Sequence, residues 1–414
     1  MMQTTPYKLD ALGVIGRGKS RHRPRNAPAL YGGHYPFFQT GDVTAAELYL
    51  HSYSQTYNEH GLAQSKLWVP GTLCITIAAN IAETAILTIY GCFPDSIVGF
   101  IADDTKADVR FIKYYIDKIK RSMQNASKGT TQDNLSLEKL LTFDFHVPSV
   151  ERQRRIASIL SAYDDLIENN TRRIAILEEM SRRIYEEWFV RFRFPGHEQV
   201  KMIESELGMI PEEWTVIPIT NAITINPSVR VAKEGMKPFV PMGCLSNDTM
   251  LISNVQEREG NSGVKFQNDD TLFARITPCL ENGKTGYIQF LPNANAVAFG
   301  STEFIVLRSK TVCPEYVYLL ARSEAFRANA IKSMSGATGR QRVKEACFES
   351  FLIAQPDAET LNQFQQAVSP MFKIIKVLAK KNTNLRTTRD LLLPKLISGE
   401  LDVSSLPESK AEAA

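Results

Sequence analysis

Cysteine is sparse in this chain of 414 residues: Cys74, Cys92, Cys244, Cys279, Cys313 and Cys347 are its six, and no two stand at C-x-x-C spacing. That scatter argues against zinc clusters and a disulfide framework, and for a reducing compartment. Long apolar runs are lacking as well. The most apolar window, Cys74 to Phe93, contains Asn80 and Glu83, and no charged start followed by an apolar core reads as a signal peptide, so a cytoplasmic chain with no membrane partner is expected. Neither sign of charge dominates. Lys and Arg number 48 against 45 Asp and Glu, a net charge of +3, so any nucleic-acid footprint must be local.

Several catalytic signatures are missing too. His22, His34, His51, His60, His146 and His197 show neither metal-ligand spacing nor a triad partner. Asn226-Pro227 continues into Ser228-Val229, so the N/D-P-P-Y/F tetrapeptide that holds a flipped adenine in methyltransferases does not occur. Asp95, Asp103-Asp104 and Asp269-Asp270 lack the E-x-K that would complete a nuclease metal site, and they read as solvated turn residues. No metal and no cofactor is expected on this chain.

What the sequence has in quantity is helical periodicity. From Pro148 to Phe192 there is no further Pro or Gly. Steps of four and three from Ile156 reach Leu160, Tyr163, Ile167, Asn170, Ile174, Leu177, Ser181, Ile184 and Trp188. This is one long helix with a narrow coiled-coil seam; roughly 40 residues at about 1.5 Å each make a rod of about 60 Å. Such a seam needs a partner, and the same stepping from Leu361 provides it through Phe364, Val368, Met371, Ile375, Leu378, Asn382, Leu385, Arg389, Leu392 and Leu396. Asn170 and Asn382 interrupt the two seams, at a cost in stability that can fix register. Pro370 and Pro394 are expected to kink or end the second helix.

The segments before each helix repeat one plan. Leu67–Val69, Leu73–Ile77 and Ala85–Ile89 read as strands, Phe111–Met123 as an amphipathic helix and Phe143–Val147 as a strand. Tyr7–Leu12 and Ile210–Ile219 each read as an opening strand. At an offset near two hundred, Tyr35–Gly41 matches Lys237–Gly243, Gly71–Ile77 matches Asp270–Ile276, Lys128–Gln132 matches Ser335–Gly339, and Phe145–Pro148 matches Ile353–Pro356. The chain is therefore read as a tandem duplication. The expected divisions are residues 1–147, 148–194 (first helix), 195–355, 356–402 (second helix) and a disordered tail, 403–414. The fold class is α+β: two mixed α/β domains joined by two long antiparallel coiled-coil helices with pseudo-two-fold symmetry. The domains would then sit at opposite ends of the rod.

Gly13–Ser20 satisfies the P-loop expression G-x-x-x-x-G-K-S. That mechanism needs a helix immediately after the loop, whereas Arg21-His-Arg-Pro24-Arg-Asn-Ala-Pro28 follows. Arg17, Lys19, Arg21, Arg23 and Arg25 are better read as a flexible cationic arm suited to phosphates. An ATP-dependent enzyme built on this loop, and a protein–protein scaffold without DNA contact, are the competing readings.

Together these stretches resemble the specificity subunit of type I restriction–modification systems. The likeness is carried by Gly16-Arg-Gly-Lys-Ser20, Pro36-Phe-Phe-Gln-Thr-Gly-Asp42, Gly129-Thr-Thr-Gln-Asp-Asn-Leu135, Pro148-Ser-Val-Glu-Arg-Gln-Arg-Arg-Ile156 and Leu391-Leu-Leu-Pro-Lys-Leu-Ile-Ser-Gly-Glu-Leu401. The second copy departs from the pattern at Asp357–Gln363 and Gly339–Gln341. The resemblance implies two target-recognition domains that read the halves of a bipartite, asymmetric site on double-stranded DNA. It also implies two methyltransferase (M) subunits and restriction (R) subunits as partners, with S-adenosylmethionine, ATP and Mg expected on those partners and no catalysis by this chain. Loop side chains able to pair with purine edges or phosphates are Lys19, Arg21, Arg23, Lys128, Thr131, Gln132 and Asn134 in the first copy. In the second they are Arg230, Arg275, Arg340, Gln341, Arg342 and Lys344. The helical interface is assigned to Ile156, Leu160, Ile167, Asn170, Ile174, Leu177, Ile184, Ile375, Leu378, Asn382, Leu385 and Leu392.

Overall fold

The structure, a computed structural model, describes residues 3–127, 134–337 and 339–403. It divides into two compact units, residues 1–169 with 382–414, and residues 170–381, so each long helix is shared between them.

In the first unit the strands are β1 (Thr5–Tyr7), β2 (Gly13–Arg17), β3 (Tyr31–Phe37), β4 (Tyr49–Leu50), β5 (Gln55–Tyr57), β6 (Leu67–Trp68), β7 (Leu73–Thr76), β8 (Thr84–Leu87), β9 (Gly91–Cys92), β10 (Ile97–Ala102) and β11 (Phe145–Val147). They make a sheet of order β2-β10-β7-β8-β4, a second of order β5-β3-β9-β6, and the pair β1-β11. The runs at β7 and β8 are apolar without alternation because both faces of the sheet are covered. One face buries Leu73, Ile75, Val98 and Phe100 against the helix Val109–Ser127 and against Ile156, Leu160 and Leu396 of the long helices. The other buries Cys74, Leu87 and Ile97 against Phe38, Trp68 and Phe93. Tyr7–Leu12 is not one strand: β1 ends at Tyr7 and Leu9–Ala11 is a 3-10 turn that buries Leu9.

The second unit contains β12 (Met202–Ser205), β13 (Gly208–Pro211), β14 (Thr215–Pro218), β15 (Ile223–Ile225), β16 (Lys237–Val240), β17 (Gln256–Arg258), β18 (Val264–Phe266), β19 (Thr271–Ala274), β20 (Thr285–Tyr287), β21 (Ala298–Gly300), β22 (Phe304–Ser309) and β23 (Leu352–Gln355). Its sheets, β15-β22-β19-β20 and β17-β16-β21-β18, and its pair β14-β23, repeat those of the first unit, except that β4 has no counterpart and the pair β12-β13 is added. A parallel pairing recurs as well, β3 with β9 and β16 with β21. Ile210–Ile219 is split between β13 and β14, because β13 pairs with β12 while β14 pairs with β23. Where the first unit has one helix, the second has two, Pro314–Arg322 and Glu324–Lys332, and the Ser323 hydroxyl between them caps the second helix at the Phe326 amide.

The structural match between the copies is one residue away from the sequence match. The Ile77 amide donates to the Ser96 carbonyl as the Arg275 amide donates to Glu303, and Leu135 bonds Ile77 as Val343 bonds Arg275. Ile75 and Phe273 therefore share the helix-facing side, while Cys74 and Leu272 face the other core. The Thr-Leu identity at 72–73 and 271–272 suggested the opposite. A one-residue slip in a strand exchanges its faces, so the buried pattern, not the letters, sets the register.

The first long helix runs Val150–Tyr185 and continues as a π-helical turn, Glu186–Val190; the second runs Ala358–Ser398. They are antiparallel in both units: Arg152 meets Asp402 and Ile167 meets Asn382 in the first, Ser181 meets Met371 and Trp188 meets Phe364 in the second. Pro370 and Pro394 do not end the second helix. Both lie on its exposed side, where the carbonyls left without an amide partner face outward, while seam residues on the opposite side stay packed.

Candidate nucleic-acid interface

The Gly13–Ser20 stretch is sheet, not a phosphate loop. Gly13 to Arg17 pair along their whole length with Ala102 to Val98 of β10, and the Gly18 and Lys19 amides donate to the carbonyls of Ile97 and Phe93 at 2.9 and 3.0 Å. The glycines serve close packing: a Cβ at Gly13 would lie 2.2 Å from the Ile101 carbonyl oxygen, and one at Gly18 would lie 2.3 Å from those of Phe93 and Pro94. No helix follows, and the amides a phosphate would need are already used.

The cationic segment after it is pinned rather than loose. Arg17 donates to the Asp95 carbonyl at 2.8 Å and Arg25 pairs with the Asp95 carboxylate at 2.7 Å. Arg23 folds back onto the Ser20 carbonyl at 2.6 Å, and the Arg21 amide donates to Gln64 Oε1 at 2.5 Å. Lys19 and Arg21 keep exposed side chains. Lys66 joins them: its ammonium lies 3.5 Å from the Trp68 ring centroid, and burial, then the nearby Lys19, hold its pKa below the usual lysine value. Sequence spacing offered no signal for it, since Lys19 and Lys66 are brought together by the fold, where Ser65 Oγ donates to the Lys19 carbonyl. Asn134 is half-buried and bridges Ala78 through its backbone. Lys128, Thr131 and Gln132 lie outside the described residues.

In the second unit the sheet edge gathers most of the candidates. Arg342 bridges both Ser335 and Ile276 through its backbone, and the Gln341 carbonyl accepts from the Thr277 amide while its own amide donates to Thr277 Oγ1. Arg275, Arg340, Gln341, Arg342 and Lys344 thus converge at the end of β19. Their freedom differs. Arg342 is held by the Glu303 carboxylate at 2.6 Å, and that contact holds Glu303 below the usual carboxylate range. Arg275 occupies the place of Ile77 in the first copy, is half-buried, and is committed to Glu345 at 2.9 Å and to the Val343 carbonyl at 3.0 Å. Arg275 is therefore corrected from a loop reader to a brace inside the domain. Arg340 and Lys344 present exposed side chains, whereas Arg230 is exposed on the separate loop that follows β15. The acidic partners Glu303 and Glu345 were not visible from sequence, being dozens of residues away from their arginines. Asp270 is a second correction: far from a solvated turn, it is fully buried, accepts a forked bond from Arg308 at 2.6 Å, and burial raises its pKa despite that pairing.

The interface assignments on the long helices fall where a seam requires. Ile156, Leu160, Ile167, Asn170, Ile174, Ile375, Leu378 and Asn382 are buried; Leu177, Ile184, Leu385 and Leu392 are partly so. The Asn382 amide donates to the Ile167 carbonyl at 3.3 Å. Among the described residues no group of three or more His, Cys, Asp or Glu could hold a metal ion, and no helix is long and apolar enough to cross a membrane.

A mixed α/β domain is thus built twice on an antiparallel helix pair, with cationic side chains gathered on a loop of each copy. Residues 6–179 match the family model described as the type I restriction modification DNA specificity domain. The type I restriction enzyme MjaIX specificity subunit of Methanocaldococcus jannaschii is 24% identical over 417 aligned residues, covering 96% of this chain and 94% of that protein. A putative MjaX specificity subunit from the same organism is 30% identical over 297, covering 68% of this chain and 64% of that one. The crystal structure of the type I restriction-modification system S subunit from M. genitalium shares the fold at a TM-score of 0.57 and 14% identity, covering 95% of this chain and 96% of that one. Along nearly its whole length the chain is thus similar to type I restriction–modification specificity subunits.

Proposed function

We propose that this chain reads an asymmetric, bipartite site on double-stranded DNA, one half through each domain, and carries two methyltransferase subunits and restriction subunits. One observation supports the two-half reading above all: a single sheet topology is built twice, while the side chains at the matching loop differ, Asn134 in the first copy and Arg342 beside Arg340 in the second. Equal scaffolds with unequal loops suit unequal half-sites. Exposed Lys19, Arg21, Arg340 and Lys344 are the side chains placed to meet DNA, most of them at phosphate. On this reading the chain is not itself an enzyme; S-adenosylmethionine, ATP and Mg belong to the partner subunits, and the assembly works in the cytoplasm.

The test is to purify the chain with its methyltransferase subunit and map adenine methylation across a genome with and without it. A two-part motif that appears only with this chain is the expected result. Arg340→Ala should weaken binding to a duplex carrying that motif by about 1–3 kcal/mol and leave subunit assembly intact, whereas Leu177→Asp should damage assembly. Methylation without a chain-dependent motif would overturn the proposal.

A further inference from the structure

We propose that Glu303 is a specificity-determining residue of the second domain: its carboxylate occupies the Arg342 guanidinium where a DNA phosphate would otherwise sit, and so suppresses sequence-independent binding. The inference rests on the DNA-reading function proposed above.

The pair has the geometry of a stand-in. Arg342 Nε lies 2.9 Å from Glu303 Oε2 and Nη2 lies 2.6 Å from Oε1, so one edge of the guanidinium is engaged by both carboxylate oxygens. The same fork fits a carboxylate and a phosphate alike. Both residues are fixed through their backbones. Arg342 exchanges bonds with Ser335 at 2.9 and 3.0 Å, while the Glu303 carbonyl accepts from the Arg275 amide at 3.0 Å and its amide donates to Ser301 Oγ at 3.2 Å. The guanidinium is nevertheless half-exposed, 50% against 24% for the carboxylate. An ion pair that open adds little to folding stability, so the fold alone does not account for it.

The first copy makes the contrast. By the backbone register, Ser96 stands where Glu303 does and Asn134 where Arg342 does, and neither carries a charge. The ion pair is thus a property of one domain and not of the scaffold. Next to it Arg275 is paired with Glu345, which leaves Arg340, among the described residues, as the arginine of this edge that no carboxylate engages.

The consequence follows from how non-specific binding works. It is almost wholly electrostatic, and a protein on non-cognate DNA can slide until a free guanidinium meets a phosphate. On cognate DNA the base contacts fix the register, so an extra guanidinium gains less. Neutralising Glu303 should therefore raise non-cognate affinity more than cognate affinity.

The experiment uses the complex with its methyltransferase subunit, a duplex carrying the mapped motif, and a scrambled duplex, each titrated across salt. Glu303→Gln should raise affinity for the scrambled duplex about five- to tenfold near 0.1 M salt and steepen its log K against log salt slope by about 0.9, shrinking discrimination. Arg342→Ala combined with Glu303→Gln should return the scrambled-duplex affinity to the wild-type value. Arg342→Ala alone leaves the Glu303 carboxylate without its cation at the same edge and should lower scrambled-duplex affinity. Unchanged scrambled-duplex affinity in Glu303→Gln, or a gain that persists in the double variant, would overturn the inference. A wild-type complex that fails to prefer its own motif would instead overturn the DNA-reading function, and is seen before any variant is made.

Discussion

The two units fasten the same pair of helices with opposite chemistry. In the first unit the grip is polar. Asp164, 1% exposed in its side chain, is ion-paired with Arg389 and accepts the Tyr114 hydroxyl at 2.5 Å; Glu47 meets Arg386 at 2.5 Å and Arg389 at 3.6 Å. Gln153, fully buried, ties the helix start to the Lys106 and Pro148 carbonyls and to the Asp108 amide. In the second unit the grip is aromatic. Phe189 sits within 5.9 Å, centroid to centroid, of Trp214, Tyr316 and Phe364, and Phe372 touches Tyr287 and Tyr318. Its main polar tie is Glu178, which accepts from Thr249 Oγ1 at 2.6 Å and the Met250 amide at 2.9 Å. Duplicated topology thus constrains where a contact must be made and leaves its chemistry open.

That difference can be broken from either side. The largest effect is expected in the aromatic grip: Phe189→Ala should cost about 3–5 kcal/mol by removing a buried ring from a packed cluster, followed in denaturant unfolding by the fluorescence of Trp188 and Trp214. The loss should not depend on salt. A dependence on salt would contradict the aromatic account. Next, Asp164→Asn should cost about 3 kcal/mol, because it takes from the mostly buried Arg389 guanidinium its buried carboxylate and leaves it the more exposed Glu47 and Asp390; replacing Arg389 with Leu in the same chain should recover most of it. A double variant as unstable as the single one would show that the pair is not the cause.

The pH response is the subtlest contrast. Burial alone would raise the Glu47 pKa, but Arg386 and Arg389 outweigh it and hold it below the ordinary value. Its stabilisation is present above the unfolded carboxyl pKa, about 4.3, and is lost as pH falls through the lower folded value. Glu178 goes the other way. Burial raises it despite the bonds from Thr249 and Met250, so the folded second unit takes up a proton first, and its stability rises as pH falls from the elevated value towards about 4.3. Glu47→Gln should flatten the acid loss and Glu178→Gln the acid gain, read by unfolding at pH steps from 7 to 3. The same slope in wild type and both variants would dismiss these two carboxylates as the source.

Local period explains what could be read from the chain. The seams at Ile156–Trp188 and Leu361–Leu396 were visible because a three-and-four repeat is a property of neighbouring residues, and the doubling was visible because matched stretches recur in order. The register of β7 against β19 was not, since the Thr-Leu identity spans two letters whereas strand faces alternate with every residue. Gly13–Ser20 is no phosphate loop in the sequence reading or in the fold, its glycines being there to let β2 and its neighbours approach Ile101 and Phe93, but the arm after it, expected to be flexible, is pinned by contacts with distant Asp95 and Gln64. Pro370 and Pro394 overstated the local cost of proline in a helix whose other side is packed.

By itself the sequence determined the α+β class, the two copies, the pair of helices and their seam, because each depends on periodicity or on order along the chain. Only the tertiary structure decided which arginines are available. Arg275, Arg340 and Arg342 are alike as letters, but Glu345 and Glu303, brought in from distant segments, cover two of them and leave Arg340 exposed. Electrostatic partnership acts through space at a few ångströms, and nothing in the local spacing of charged residues records which of them will meet.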